Sequence, residues 1–473
     1  MNKYFFNKLR FIAAFIFMTI TSLLISIGFG YTSGLLAIFF ACISLYFMGN
    51  SKLILFSSFT LYTAYFYLAF LSCFLMFITG VETSFYIQGQ SFERDINDLF
   101  DVTVIYLILC YVSSYAGYSF FRKNYEPKIE FNDNISIKAV NILIISFSFF
   151  AIINFLWNIW IFAGGDFFLY MANIASRQLE FSEKGSTIFY MFGYMAGYLW
   201  LYKILKLNKK MSLAFMLFIF LTIVMKASTG RIIGTVVYIL SYFSVYYFST
   251  YKLSSQKHLR YILISSMFLL SAIVLYFIRL LSSLSINNMI VGDATSTLLS
   301  FFNFEMFNYY ISEKGNLPNV SVLMKIIDGW QTLFGYTYGS SFFSPLYSLL
   351  PSSIRPNEYQ ISFLIKNNWY EYIPGGSLPP TGMGEMYASF GFIGGVTGMF
   401  FFGSIVAFMH NLLKKYNNYW FLLVYTNVSL GFIMIYSKGE FDNLSVWFFI
   451  PVLITYALLV FISGIFRLKK FRS

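Results

Sequence analysis

A chain of 473 residues that is 58% apolar, 22% aromatic and only 11% charged lies far from the mixture of a water-soluble domain, where about a quarter of residues are charged. That balance excludes a soluble globular enzyme and predicts an all-α polytopic membrane protein. The net charge of +12 would suit nucleic acid, but its distribution along the chain is that of a membrane topology signal, and no nucleic-acid partner is expected.

A helix rising about 1.5 Å per residue needs roughly 20 mainly apolar residues to cross the hydrocarbon core, and non-helical backbone cannot face lipid unpaired. Twelve stretches meet this pattern: about 11–29, 32–48, 54–79, 102–120, 139–162, 187–202, 211–228, 231–250, 261–279, 385–411, 418–436 and 445–466. The opening segment carries Lys3, Lys8 and Arg10 ahead of an apolar run. That run exceeds the roughly 7–15 residues of a signal peptide and no small-residue cleavage site ends it, so it reads as a retained first helix. Cys42, Cys73 and Cys110 all fall inside spans and suggest neither a disulfide framework nor a metal cluster. With the N-terminus inside, the cytoplasmic segments hold most of the lysines and arginines, the bias that sets orientation. Both termini are then cytoplasmic. The chain divides into 1–279 with nine spans, a large outer loop 280–384 with short interfacial helices, and 385–473 with three spans and a basic tail.

The outer loop 81–101 is acidic and reads as a solvated face, whereas 121–138 carries Arg122, Lys123, Lys128 and Lys138 as an inner anchor. Spans seven and eight meet at Lys226-Ala-Ser-Thr-Gly-Arg231, which places two cations at the cation-poor outer boundary. Charges in that position are either snorkelling helix ends or functional groups. Arg279 closes span nine on the same face. In the long loop, 295–311 and 361–373 are apolar but too short to span, so they are expected at the interface, with Trp369, Tyr370 and Tyr372 at headgroup level. Pro345, Pro351 and Pro356 impose a non-helical path past Arg355. Span ten, expected to follow the loop without a gap, contains Gly391-x3-Gly395 and Gly394-x3-Gly398, a spacing that permits close helix approach. The turn before span twelve brings Lys438, Glu440 and Asp442 to the outer face.

No phosphate loop and no dinucleotide fingerprint appear. The two histidines, His258 and His410, fall at cytoplasmic ends, which removes histidine catalysis from the outer face. That face offers Lys226, Arg231, Arg279, Arg355 and Lys438 as cations and Glu385, Glu440 and Asp442 as carboxylates. A guanidinium grips a diphosphate bidentately, a partly desolvated carboxylate acts as a base, and aromatic rings pack against sugars. The combination suits transfer of a glycan from a lipid diphosphate, as one option among several.

Four segments occur in order around the large loop: KASTGRIIG at 226–234, LLPSSIRP at 349–356, LPPTGMGEMYASFGFIGG at 378–395 and SKGEFDN at 437–443. Together they resemble the bacterial oligosaccharide repeat-unit polymerases, the Wzy-type proteins of O-antigen and related surface polysaccharides. The likeness covers about 225–450, and the Pro-Pro-x-Gly-x-Gly-Glu-x-Tyr-x2-Phe-Gly segment is its most specific part. It implies a glycosyltransferase of the bacterial cytoplasmic membrane that joins undecaprenyl-diphosphate-linked repeat units on the outer face, without a cofactor or metal and with a chain-length regulator as a candidate partner. Arg231 and Arg355, with Arg279, Lys226 and Lys438 in support, would hold the diphosphate. Lys438 stands where related polymerases often carry arginine. Asp442 or Glu385, with Glu440 behind them, would activate the acceptor hydroxyl. Two alternatives stay open: an O-antigen ligase, from which the outer-face histidine is missing, and a lipid-linked oligosaccharide flippase, for which no internal repeat is seen.

Overall fold

The computed structural model describes residues 90–122, 129–170, 188–228, 232–250, 320–343, 361–370, 380–438 and 450–471, with 132 and 168 left out and scattered positions described between 34 and 87 and at 378. Expected spans one and nine and the loop stretch 295–311 lie outside these residues, and expected spans two and three are described only at scattered positions.

Among the described residues these α-helices follow one another: α1 (Ile96–Phe121), α2 (Ile137–Ala163), α3 (Ile188–Lys206), α4 (Leu213–Ser228), α5 (Ile232–Ser249), α6 (Val320–Phe334), α7 (Ile361–Trp369), α8 (Gly382–Lys415), α9 (Tyr419–Lys438) and α10 (Ile450–Phe471). Among the described residues there are no strands, only an isolated bridge between Glu130 and Asn418. Three helices, α1, α2 and α8, are long and apolar enough to cross a membrane, and α4 and the 451–466 part of α10 are shorter apolar helices. Their surfaces agree with that solvent. Ile145 and Trp160 on α2 and Ile393 on α8 are 70%, 66% and 81% exposed, an apolar display that water would penalise and lipid does not.

Helix limits follow from local chemistry. Asp95 caps α1, its side chain accepting the amides of Asn97 and Asp98, which satisfies donors that a helix start leaves open. Gly164 ends α2 in a left-handed conformation and returns its amide to Ile159 and Trp160, a turn that glycine makes without a side-chain clash.

Two cores form. One joins α1, α6 and α8 with described residues near 36–87. The other joins α2, α3, α5, α9 and α10 with part of α4. In the first, α1 and α8 run parallel: Tyr106 Oη donates to Met383 O at 2.9 Å, Ser113 Oγ to Val396 O at 2.7 Å and Asn411 Nδ2 to Phe121 O at 2.9 Å. In the second, the start of α2, the end of α3 and the start of α9 meet. Asp133 pairs with Lys206 at 2.6 Å, accepts the Tyr202 hydroxyl and receives Trp420 Nε1–H at 2.9 Å. The end of α10 joins them, its Ser463 Oγ accepting the Ser136 amide at 3.1 Å. These four helix ends gather at one end of the bundle.

Two expectations change. Helix α8 is not continuous: Gly391, at φ 70° and ψ −169°, breaks it nine residues after its start. Of the four spaced glycines, only Gly395 meets another long helix, where an added Cβ would lie 2.3 Å from Tyr106 Oη; Gly391 faces Tyr336, and Gly394 and Gly398 face Phe390 and Met386 of α8 itself. The closest approach of α1 and α8 lies about two turns beyond Gly395, at Gly403 against Ser114 O and Gly117 against Phe400 O.

Candidate functional site

Helix α6 carries the site. Its 15 residues reach about 22 Å at 1.5 Å each, too short for a bilayer core of about 30 Å. Every residue from Val320 to Trp330 is nonetheless buried. Val320, Leu323, Met324 and Ile327 enter the α1/α8 core, while Val322, Ile326 and Trp330 join a smaller core with Ile361 and Ile365 of α7, Tyr370, Leu378 and Ala388.

Burial extends to two charges. The Lys325 and Asp328 side chains are 8% and 0% exposed and pair at 3.6 Å across one helical turn. Lys325 Nζ also donates to Ser91 O and sits over the rings of Phe92 and Trp369, at 4.7 and 5.6 Å, so its charge is met by oxygen and π faces together. Asp328 Oδ2 accepts the Glu93 amide at 3.0 Å. Thr332 Oγ1 donates to Glu93 Oε1 at 3.2 Å and Gln90 Nε2 to Trp369 O at 2.8 Å. The stretch 90–93, read from sequence as a solvated acidic loop, is therefore a strap stitched across α6 and the end of α7. Ser91, Glu93 and Arg94 still face solvent. Trp369 and Tyr370, expected at headgroup level, belong to this packing instead: Tyr370 is fully buried and Trp369 meets Trp330 and Phe334 edge-on. Tyr372 lies outside the described residues.

The start of α8 closes the site. Thr381 caps it, its Oγ1 accepting the Gly384 amide at 3.1 Å and its carbonyl the Glu385 amide at 2.9 Å. The cap holds φ 65° and ψ 154°, a backbone region that β-branched residues avoid and that is tolerated where surrounding structure enforces it, often at functional sites. An added Cβ at Gly384 would meet Ile326 at 3.0 Å and Leu323 at 3.4 Å, so glycine lets this helix start settle on α6. Glu385 follows in the first turn, 1% exposed, where the helix dipole favours a carboxylate. Tyr387 donates to Ile327 O at 3.3 Å, with Arg94 close enough to bear on its hydroxyl. The break at Gly391 frees the Ala388 and Ser389 carbonyls, and the amides of Thr337 and Tyr338 take them, both at 3.1 Å. Thr337 Oγ1 and Ser389 Oγ lie 3.0 Å apart.

Of the residues singled out from sequence, the structure places Glu385 in this site and Lys226, half-buried, in the last turn of α4. Lys438 is the last residue of α9. Arg231, Arg279, Arg355, Glu440 and Asp442 lie outside the described residues. Sequence reasoning missed Lys325, Asp328 and Arg94. The signal was present in Met324-Lys-Ile-Ile-Asp328, an ionisable pair one turn apart within an apolar run. Among the described residues no group of three or more His, Cys, Asp or Glu is placed to hold a metal ion. No protein-family model, curated protein or solved structure matches this chain. What the arrangement offers chemically is a desolvated carboxylate pair of sites, Asp328 and Glu385, beside aromatic faces and an exposed guanidinium.

Proposed function

We propose that this protein is a membrane glycosyltransferase that polymerises undecaprenyl-diphosphate-linked oligosaccharide repeat units into O-antigen or a related surface polysaccharide, on the outer face of the bacterial cytoplasmic membrane. One observation carries the reading. The segment 378–395, the most specific part of the resemblance, forms a strained cap, a buried carboxylate and a docked helix break at one end of an apolar bundle, where a lipid-borne donor and a water-borne sugar chain can meet. A buried ionisable cluster of this kind is costly and marks function by default.

In the reaction, the acceptor hydroxyl of a single lipid-linked unit gives its proton to a carboxylate, Glu385 or Asp442, as its oxygen bonds to the anomeric carbon of the growing chain. The bond from that carbon to the lipid diphosphate breaks, and its electron pair leaves with the diphosphate. Arg231 and Arg355, with Arg279, Lys226 and Lys438, neutralise the departing anion.

The test is an electrophoretic profile of surface polysaccharide from a strain lacking the gene. Lipid A-core bearing one repeat unit, restored to full ladders by the cloned gene, is the expected outcome. Core without any repeat, accompanied by lipid-linked polymer, would replace the reading with a ligase. Single lipid-linked units trapped on the inner face would replace it with a flippase.

A further inference from the structure

Among the described residues, the ion pair where α2, α3 and α9 meet and the ion pair on α6 are built differently. Asp133 has both oxygens filled: Oδ1 meets Lys206 at 2.6 Å and the Tyr202 hydroxyl, and Oδ2 meets Trp420 Nε1–H at 2.9 Å. That is how a carboxylate kept for structure is satisfied. Asp328 is more deeply buried and only half filled. Its Oδ2 receives the Glu93 amide, whereas Oδ1 is buried with no hydrogen-bond donor. Leaving an acceptor open in a desolvated place is expensive, and native proteins rarely do so without a use for it.

The open valence also defines what would fill it. An acceptor beside a negative charge takes a donor and repels an anion, so the lipid diphosphate is excluded here. Lys325 cannot recruit a phosphate either, since Asp328, Ser91 O and two aromatic rings already engage it. A sugar hydroxyl has the donor chemistry this acceptor calls for, and Trp369, partly exposed and packed near Lys325 and Gly329, offers apolar ring surface close by. The cover over Asp328 is the strap 90–93, held to α6 by Lys325 Nζ–H to Ser91 O, Glu93 N–H to Asp328 and Thr332 Oγ1–H to Glu93. We propose that Asp328 is an acceptor-glycan subsite: Oδ1 receives the hydrogen of a hydroxyl on the incoming repeat unit once the strap lifts, and Lys325, 3.6 Å from Oδ2, holds the carboxylate in place to receive it. This rests on the polymerase reading and adds to it a residue on which the resemblance is silent.

The decisive variant is the double neutral K325M/D328N in the deletion strain, compared with K325M alone and with the wild-type gene. K325M leaves a buried charge unmatched and should lower the amount of protein in the membrane. The double variant removes both charges while keeping an oxygen for the Glu93 amide. It should accumulate like wild type yet make polymer about a hundredfold more slowly, the scale of loss when a reacting group is misplaced. Wild-type ladders from the double variant would overturn the subsite and leave the polymerase standing, whereas failure of the wild-type gene itself to restore ladders would overturn the polymerase reading. Should the double variant fail to accumulate, hydrogen exchange on the wild-type protein decides. Exchange at the Glu93 amide should speed up on adding single repeat-unit lipid isolated from the deletion strain, and unchanged exchange would overturn the proposal.

Discussion

Replacing Gly403 by alanine tests the α1/α8 seam on which the site stands. The added Cβ would lie 1.9 Å from Ser114 O, 2.8 Å from its carbonyl carbon and 2.9 Å from the Tyr118 amide. All three neighbours are backbone, so no side chain can swing away and the helices must part by about 1.5 Å to reach ordinary contact. A gap of even 0.5–1 Å forfeits about a quarter to a half of each dispersion contact, and overpacking of this kind costs about 1–3 kcal/mol. The seam also carries Tyr106 to Met383 O, Ser113 to Val396 O and Asn411 to Phe121 O, each worth about 1 kcal/mol when stretched beyond reach. Against this, alanine gains about 1 kcal/mol of helix propensity over glycine. A net loss of about 2–4 kcal/mol follows. Gly464 in α10 is the control, because nothing lies within 4 Å of its would-be Cβ; G464A should gain the propensity and lose nothing. The assay is the midpoint of heat-induced loss of the monodisperse peak in one detergent. A G403A protein as heat-resistant as wild type or G464A would show that the helices do not approach here.

Gly391→Ala should destabilise by about 2–3 kcal/mol, since φ 70° is strained for alanine and Tyr336 Oη would stand 2.7 Å from the new Cβ; proteolysis of α8 in membranes would report it, and unchanged resistance would argue that the break is not enforced. Asp133→Asn removes the ion pair to Lys206 and weakens the bonds from Tyr202 and Trp420. It should cost about 2–3 kcal/mol after allowing for partial exposure, and polymer should fall only in proportion to the protein remaining in the membrane. His410 is buried with Nδ1 at 3.2 Å from the Tyr425 hydroxyl, far along α8 from the site; H410Q should leave polymer length and yield unchanged, and a dead but well-expressed variant would favour the ligase. Arg231→Ala should abolish polymer without removing the protein from the membrane, as judged by immunoblot and gel together.

Where expected spans fall on described residues, hydropathy located the helices closely, because length and apolarity are local properties of the sequence. The stretch 102–120 lies within Ile96–Phe121, and 139–162 within Ile137–Ala163. Even the shortest expected span, 187–202, is a helix at Ile188–Lys206. What hydropathy could not show depends on partners distant in sequence. The break at Gly391 reads locally as a glycine in an unbroken apolar run; it exists because Thr337 and Tyr338 supply amides to the carbonyls it releases. Helix α6 is too short to count as a span and too apolar to look like a loop, so it vanished into the long loop. Its charges give no clue to depth until the strap and α7 are seen to cover them. Glu385 was legible because its motif is contiguous, whereas Asp328 becomes visible only when Glu93, 235 positions away, is placed beside it.

The contrast between Asp133 and Asp328 bears on why the site lies where it does. Both carboxylates bind lysines, but Asp133 and Lys206 each keep 19% of their side chain exposed while Asp328 keeps none. Water can complete the first pair, so a fully bonded network there needs only to hold α2, α3 and α9 together. The second has no such recourse. Its cost is met by packing α6 between two apolar cores, and an arrangement built only for stability would do better with two apolar residues of similar volume. A charge kept at that depth, with one oxygen open and a thin exposed strap above it, stays useful only if something polar arrives. Under the proposed polymerase reading, the hydroxyl-rich end of the lipid-linked acceptor glycan is the group whose donors would fill that open acceptor.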